Sequence, residues 1–425
     1  MRRETPLSAR PDLLARLAER VAARAAEHGL RRLRTALRGD GARLVLNGRE
    51  LVDFASNDYL GLANHPAVRA ALVDCAQRHG VGATSAHLLG GHRPEHDALE
   101  RELAQWLGRE RVLLFSSGYA ANLGVMQALL GPGDVCVQDK LDHASLLDGA
   151  KLAGCQATRY QHADSGSARR QLAAHPGAAA LLATDGVFSM DGDLAPLREL
   201  VTVAREASAT LMVDDAHAIG VLGANGCGSA EHAGLAPHDV PVQVVTLGKA
   251  LGVAGAVVAG STALVDGLVQ FARSFVYSTA TPPALAAATL AAVRVARHEA
   301  WRRDRLARLV AHFRRGAAAR GIALGASATP IQPIPAGSAE RALALSRALE
   351  SAGFHVPAIR PPTVPEGAAR LRVGLSVLHA ERDVDALLDA LSRALKESHD
   401  ERRNRPRPDA RHAGREARAR GVRLR

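Results

Sequence analysis

Residues 242–255 read VQVVTLGKALGVAG. Val242, Val244, Val245 and Leu247 form a short apolar, β-branched run of the kind that makes a buried strand. The run stops at Gly248, and Lys249 follows at once with no acid beside it in sequence. A lysine at the mouth of a buried strand loses solvation. Its pKa falls, and its amine becomes a nucleophile able to trap an aldehyde. On this stretch alone a surface lysine at a strand end fits as well.

A second stretch upstream shifts the balance. Residues 210–220 read TLMVDDAHAIG. Leu211, Met212 and Val213 predict another buried strand, ending in Asp214, Asp215 and then His217. An acid at the end of a buried strand, with an imidazole three residues on, suits a ligand site at the carboxyl edge of a sheet. Pyridoxal phosphate needs an aldehyde-trapping lysine. It also needs a carboxylate that keeps its pyridine nitrogen protonated. Lys249 and Asp214 fit those roles, and His217 can donate to the ring's phenolic oxygen. A metal held by Asp214, Asp215 and His217 is the rival reading, but no other His or Cys has ligand spacing to them.

The 425 residues are enough for two or three domains with sizeable cores. Apolar residues make up 47% and mark a globular protein, and no apolar run reaches membrane-spanning length. The charged N-terminus lacks the apolar core of a signal peptide. Cys75, Cys136, Cys155 and Cys227 form no CxxC and read as reduced thiols of a cytoplasmic protein. The net charge of +11 raises a nucleic-acid or polyanion reading. Its distribution weakens that reading: residues 396–425 hold eleven basic and five acidic side chains, so the tail carries more than half of the excess. The tail has prolines and no apolar periodicity, and it is expected to be disordered.

From Arg111 onward, strand and helix patterns alternate, which predicts an α/β fold: a mostly parallel sheet flanked by helices. Before it come a helix over 12–28 and a hairpin around Asn47–Gly48. After it, two Ala/Arg-rich helices fill 283–319, and a βαββα-like piece follows. The expected divisions are an N-terminal helical segment (1–48), a large cofactor domain (49–285), a smaller α+β domain (286–395) and the tail (396–425). His87, His92 and His96 lie in a Gly/Ser/His-rich loop, but a helix starting near Pro94 need not put His92 and His96 on one face, and no metal is expected.

SSGYAAN, residues 116–122, ends one strand and opens a helix. Gly118 lets the backbone come close, and a helix N-terminus offers free N–H groups to a phosphate. No GxGxxG or Walker pattern is present. Thr246 adds a hydroxyl. His143 falls just past the next strand, where it can stack on a planar ring or simply cap a helix. In IRPPTVPEGAARLRVGLS, residues 359–376, Arg360 and Arg372 bracket a Pro-stiffened loop holding Thr363. Such arginines can clamp a carboxylate or merely cover the surface.

Together FASNDYLGL, SSGYAAN, DHASLLDGA, GVFSMDGDLAPL, VDDAHAIGVLG, TLGKALG, YSTATPP and IRPPTVPEGAARLR resemble the α-oxoamine synthases, a family of fold type I pyridoxal-phosphate enzymes, over about residues 30–395. The resemblance implies that Lys249 holds the cofactor, that Asp214 pairs with its pyridine nitrogen, and that His217 and Ser189 meet its ring oxygen. His143 would stack over the ring, and Gly118, Tyr119 and Thr246 would hold the phosphate. Arg31, Thr363 and Arg372 would address substrate. The family forms homodimers with shared sites, so Ser278 and Thr279 would serve the neighbour's phosphate. The motifs sit closest to members that join L-alanine to a pimeloyl thioester; glycine- and serine-using members share the cofactor positions. Ala218 and Ile219 depart from the family's usual Gly-Thr.

Overall fold

The computed structural model describes residues 10–404 except residues 28 and 40. A helix, Leu13–Ala26, opens it, capped by Asp12, whose carboxylate accepts the N–H groups of Leu14 and Ala15. Strands β1 (Ala36–Arg38), β2 (Arg43–Leu46) and β3 (Arg49–Asp53) follow. The β2–β3 hairpin is the one expected. Asn47 and Gly48 turn it with φ of 52° and 76°, as a two-residue turn of the type favoured by strand twist requires. The segment before residue 49 is therefore helix and strand rather than helix alone, and the expected boundary at 48/49 cuts the hairpin.

The large sheet contains β4 (Arg111–Phe115), β5 (Val135–Asp139), β6 (Gln156–Tyr160), β7 (Ala180–Asp185), β8 (Thr210–Asp214), β9 (Val242–Thr246) and β10 (Ala256–Gly260), in the order β4-β10-β9-β8-β7-β5-β6. Pairing is parallel except at β10, which runs antiparallel to both β9 and β4. Both faces are covered, so strand residues alternate between two apolar clusters. Leu113 and Phe115 pack with Val125 and Met126 of the helix Gly118–Leu129, while Val112 and Leu114 face the other way. The same parity governs β8. Met212 lies with the first cluster, Leu211 and Val213 with helix Leu197–Glu206 opposite. Fully burying each such side chain stabilises by about 1.5–3 kcal/mol.

Helices Ser165–Ala173 and Thr262–Phe271 were not expected. The first is short and polar, but Asp164 caps it, and β6 and β7 each lie parallel to β5, which demands a crossover. The Ala/Arg-rich region is Pro283–His298 and Trp301–Ala319, as read. The C-terminal piece holds β11 (Ile331–Gly337), β12 (Phe354–His355), β13 (Ala358–Ile359) and β14 (Ala369–Gly374), with order β11-β14-β13. β12 leaves that sheet and pairs in parallel with β3, which joins the chain's two ends. The last helix, Glu381–Asn404, runs past the expected start of the tail at 396; the disorder expected beyond residue 404 lies outside the described residues. No described helix is long and apolar enough to cross a membrane.

Candidate active site

Strands β4, β5, β7, β8 and β9 end at one edge of the sheet, and ligand sites in such folds form at that edge. A cavity of about 190 Å³ opens there, lined by Gly118, Tyr119, Asn122, His143, Ser145, Asp185, Val187, Ser189, Asp214, Ala216, His217, Thr246 and Lys249. Eight of the residues expected from sequence thus meet in one place. Strand parity explains the convergence. Asp185, Asp214 and Thr246 share the parity of Ala183, Met212 and Val244, so they project toward the helix Gly118–Leu129.

Asp214 is almost fully buried. One carboxylate oxygen accepts the Ala216 N–H at 3.0 Å, and the other accepts Asn122 Nδ2 at 2.7 Å. Asn122 Nδ2 also donates to Ser145 Oγ at 2.8 Å, and Ser145 Oγ lies 2.7 Å from His143 Nδ1. The Ser145 N–H donates to that same Nδ1. An imidazole nitrogen that accepts carries no hydrogen, so His143 bears its hydrogen on Nε2. Burial and nearby Lys249 lower its pKa against the pull of Asp214, which keeps the ring neutral. His143 also caps the helix Ala144–Ala153, the second of its two sequence readings. Asp215 projects the other way. Fully buried, it accepts from Gln243 Nε2 at 2.7 Å and from the N–H and hydroxyl of Ser229.

Lys249 sits in a loop closed by Leu247 N–H to Gly255 O and Val253 N–H to Leu247 O. Burial lowers its pKa; Asp214 and Asp185 oppose that shift, and Arg372 adds to it. His217 is held neutral, first by burial and then by Lys249 and Arg372. Its Nδ1 lies 2.8 Å from the Tyr59 hydroxyl. Burial raises the Tyr59 pKa, so that hydroxyl stays protonated.

Arg372 does not line the cavity. It stands behind it, buried, donating from Nε to Ser189 O at 2.7 Å and from a terminal nitrogen to Asn57 Oδ1 at 3.1 Å. Arg31 and Thr363 are exposed and meet each other, 2.7 Å apart, rather than the cavity. Arg360 donates to Leu30 O, so the 360–363 loop grips the chain near its start. Ser278 and Thr279 are also outside the cavity; Thr279 bridges to Ala86.

The residues fit pyridoxal phosphate. The helix Gly118–Leu129 points its N-terminus at the cavity, where first-turn N–H groups lack intrahelical partners. A Cβ on Gly118 would lie 2.6 Å from Thr246 Cγ2, so only glycine leaves this cradle open. Asn122 Oδ1 and Asp185 Oδ1 are buried there without a hydrogen-bond partner. Asn122 and Asp185 were not singled out from sequence. Asn122 had a signal, one helical turn after Gly118 on the same face.

The family model for aminotransferase class I and II matches residues 49–391. The 8-amino-7-oxononanoate synthase of Xanthomonas axonopodis pv. citri (strain 306) is 56% identical over 387 residues, covering 91% of this chain and 96% of that one. A Sphingomonas wittichii serine palmitoyltransferase superposes with a TM-score of 0.86 at 30% identity, over 92% of this chain and 99% of its own. A serine palmitoyltransferase from S. paucimobilis with a bound PLP–myriocin aldimine gives 0.87 at 26% identity, over 91% and 99%. With the cavity's lysine, carboxylate and phosphate cradle, these likenesses place the chain in the class I and II aminotransferase family, among its α-oxoamine synthases.

Proposed function

We propose that the protein condenses L-alanine with a pimeloyl thioester, carried by coenzyme A or acyl carrier protein, giving 8-amino-7-oxononanoate, CO2 and the free thiol for biotin synthesis. The observation that carries this reading is the 56% identity, across nearly both full lengths, to synthases of that name. Pyridoxal phosphate, when bound, supplies an electron sink for the bonds at the substrate's α-carbon. Lys249 would hold its aldehyde carbon, Asp214 its pyridine nitrogen, and Gly118, Tyr119 and Thr246 its phosphate; His217 and Ser189 would meet its ring oxygen.

The chain's own groups set the proton traffic. Burial favours the neutral amine of Lys249, which can accept the α-proton of alanine. Asp214, fixed by Asn122 and the Ala216 N–H, holds its carboxylate where a protonated ring nitrogen would need a partner. His143 offers its Nε2–H to the thioester carbonyl oxygen as charge builds there. Arg372, a guanidinium buried beside Ser189, is the carboxylate clamp for the amino acid. Arg31 and Thr363, which pair with each other outside the cavity, would address substrate that extends beyond it.

A homodimer is part of the proposal. Leu13, Leu14, Leu17 and Val21 recur along one side of the first helix and are all exposed, as a face meeting a second copy would be. Ser278 and Thr279, away from this chain's own cavity, would serve the partner subunit's phosphate. The four cysteines are free thiols, which fits the cytoplasm. A panel of alanine, glycine and serine against pimeloyl, acetyl, succinyl and palmitoyl thioesters tests the reading. Alanine with pimeloyl is the expected pair. A preference for serine with palmitoyl, or glycine with a short acyl group, overturns it.

A further inference from the structure

The loop before the helix Pro94–Leu107 carries a second constellation, outside this chain's own cofactor cavity. His87 lies in a short 3-10 turn, His92 just before the helix and His96 in its first turn. The sequence spacing did not require these imidazoles to converge, but the fold brings them together. One nitrogen from each lies within 4.8 Å of the other two. His87 Nδ1 and His92 Nδ1 are already 3.0 Å apart. Ring centres are separated by 5.2 Å (His87–His92), 5.1 Å (His87–His96) and 5.4 Å (His92–His96). Three imidazoles on one tetrahedral ion, with bonds of about 2.0–2.1 Å, place ring centres roughly 5.2 Å and ligating nitrogens roughly 3.3 Å apart. The rings stand at the right separation, and only their nitrogens need to turn inward.

We infer that His87, His92 and His96 form a binding site for a divalent transition-metal ion of zinc type, with three imidazole ligands and a fourth position open to water. The surroundings are built as such a site requires. His96 Nε2 lies 2.7 Å from the carbonyl oxygen of Thr281 and donates to it, leaving Nδ1 as the nitrogen with a lone pair. A ligating histidine is oriented in this way, by its second nitrogen bound to a carbonyl. At present the Arg93 N–H donates to that lone pair at 2.8 Å; an ion would displace it, and Arg93 is exposed, so the freed N–H can turn to water. His87 is stacked on Phe275, with ring centres 5.0 Å apart and planes 18° apart. His92 is exposed, which leaves the ion a way in.

The consequence is mechanical. The Ala280 N–H donates to Ser85 O at 3.0 Å, and Ala86 bridges to Thr279. An ion on the three imidazoles would cross-link this loop to the first turn of the helix Pro94–Leu107, whose His96 already reaches Thr281 O. The inference does not rest on the proposed substrates, because the ligands lie outside that cavity.

Titrating the holoenzyme with Co2+ and following visible ligand-field absorption, with Zn2+ as competitor, tests the site. One ion per chain is expected, displaced by Zn2+, with no thiolate charge-transfer band. His92→Asn removes an exposed ligand, so its fold is not at issue, and on the order of a hundredfold weaker binding is expected. Zn2+ should raise the Tm of the parent protein and leave that of His92→Asn unmoved. No saturable binding, unchanged affinity in His92→Asn, or a thiolate band would each overturn the inference.

Discussion

Gly118→Ala puts one methyl group into the phosphate cradle, and the structure sets the size of the effect. The new Cβ would lie 2.6 Å from Thr246 Cγ2. Carbon atoms rest about 3.5–4.0 Å apart, so the overlap is roughly an ångström. Thr246 cannot simply rotate away, because its hydroxyl donates to Ala216 O at 3.1 Å. Breaking that bond costs about 0.5–1.5 kcal/mol. An overpacked methyl typically costs about 1–3 kcal/mol. Against this, alanine gains at most about 0.5–1 kcal/mol over glycine in a helix, and Gly118 is only its first residue. The clash wins by about 1–2 kcal/mol. It falls on the N–H and hydroxyl assigned to the phosphate, so cofactor affinity is expected to drop roughly tenfold, at 1.4 kcal/mol per decade. Absorbance titration of the apoenzyme with pyridoxal phosphate measures it. Thr246→Ser removes Cγ2 and keeps the hydroxyl, so the double variant should regain most of the loss, a non-additivity expected only for touching groups. Unchanged affinity in Gly118→Ala, or no rescue by Thr246→Ser, would refute the cradle as described.

Lys249→Ala is expected to abolish turnover and the visible absorption of the bound cofactor; a near-native rate would remove Lys249 from the chemistry. Asp214→Asn keeps shape and loses charge. Breaking such a buried pair costs about 3–5 kcal/mol, so steady-state kinetics should show kcat down a hundredfold or more at 1.36 kcal/mol per decade. Asp215→Asn, on the other face, should lower Tm and leave kcat within a few-fold; the reverse ranking would reassign the pyridine partner. His162 lies 3.0 Å from Asp139 and 2.7 Å from Asp193. Burial alone would lower its pKa, but the two carboxylates win and raise it to about 10. A raised folded pKa means stability fully present below about 6.5, the unfolded value, and lost as pH climbs through 10. The Tm gap between the parent and His162→Gln should therefore be widest near pH 6 and close toward pH 10; a gap that does not depend on pH contradicts the charged pairing.

The sheet and its carboxyl-edge site were legible because each station lies on a strand end with a strong local pattern. VVTL before Lys249 and LMV before Asp214 carry their own burial signal, and parity then decides that Asp214 and not Asp215 faces the cavity. Less was legible where the partner is distant in sequence. Arg31 and Thr363 read as two separate substrate contacts, yet they bond each other across 332 residues. The helix face of Asn122 was legible, but its role was not, because that role depends on Asp214 and Ser145 arriving from two other strand ends. The helix Ser165–Ala173 has too little apolar surface to show itself and is required only by the parallel pairing around it. The imidazole triad likewise depends on how a 3-10 turn leads into a helix, which spacing alone does not reveal.

The pairing of β12 with β3 sets a timetable for the chain. Phe354 lies opposite Val52, so β3 leaves the ribosome about 300 residues before its neighbour exists. At about 5–20 residues per second that is a wait of roughly 15–60 s. Through it, the hairpin presents an open edge, the kind of surface that recruits other nascent strands. The residues next to that edge, Asn57 and Tyr59, are those that later receive Arg372 from β14. Completing the edge and seating the arginine are thus one late event, and slow synthesis or crowded expression threatens yield and activity together.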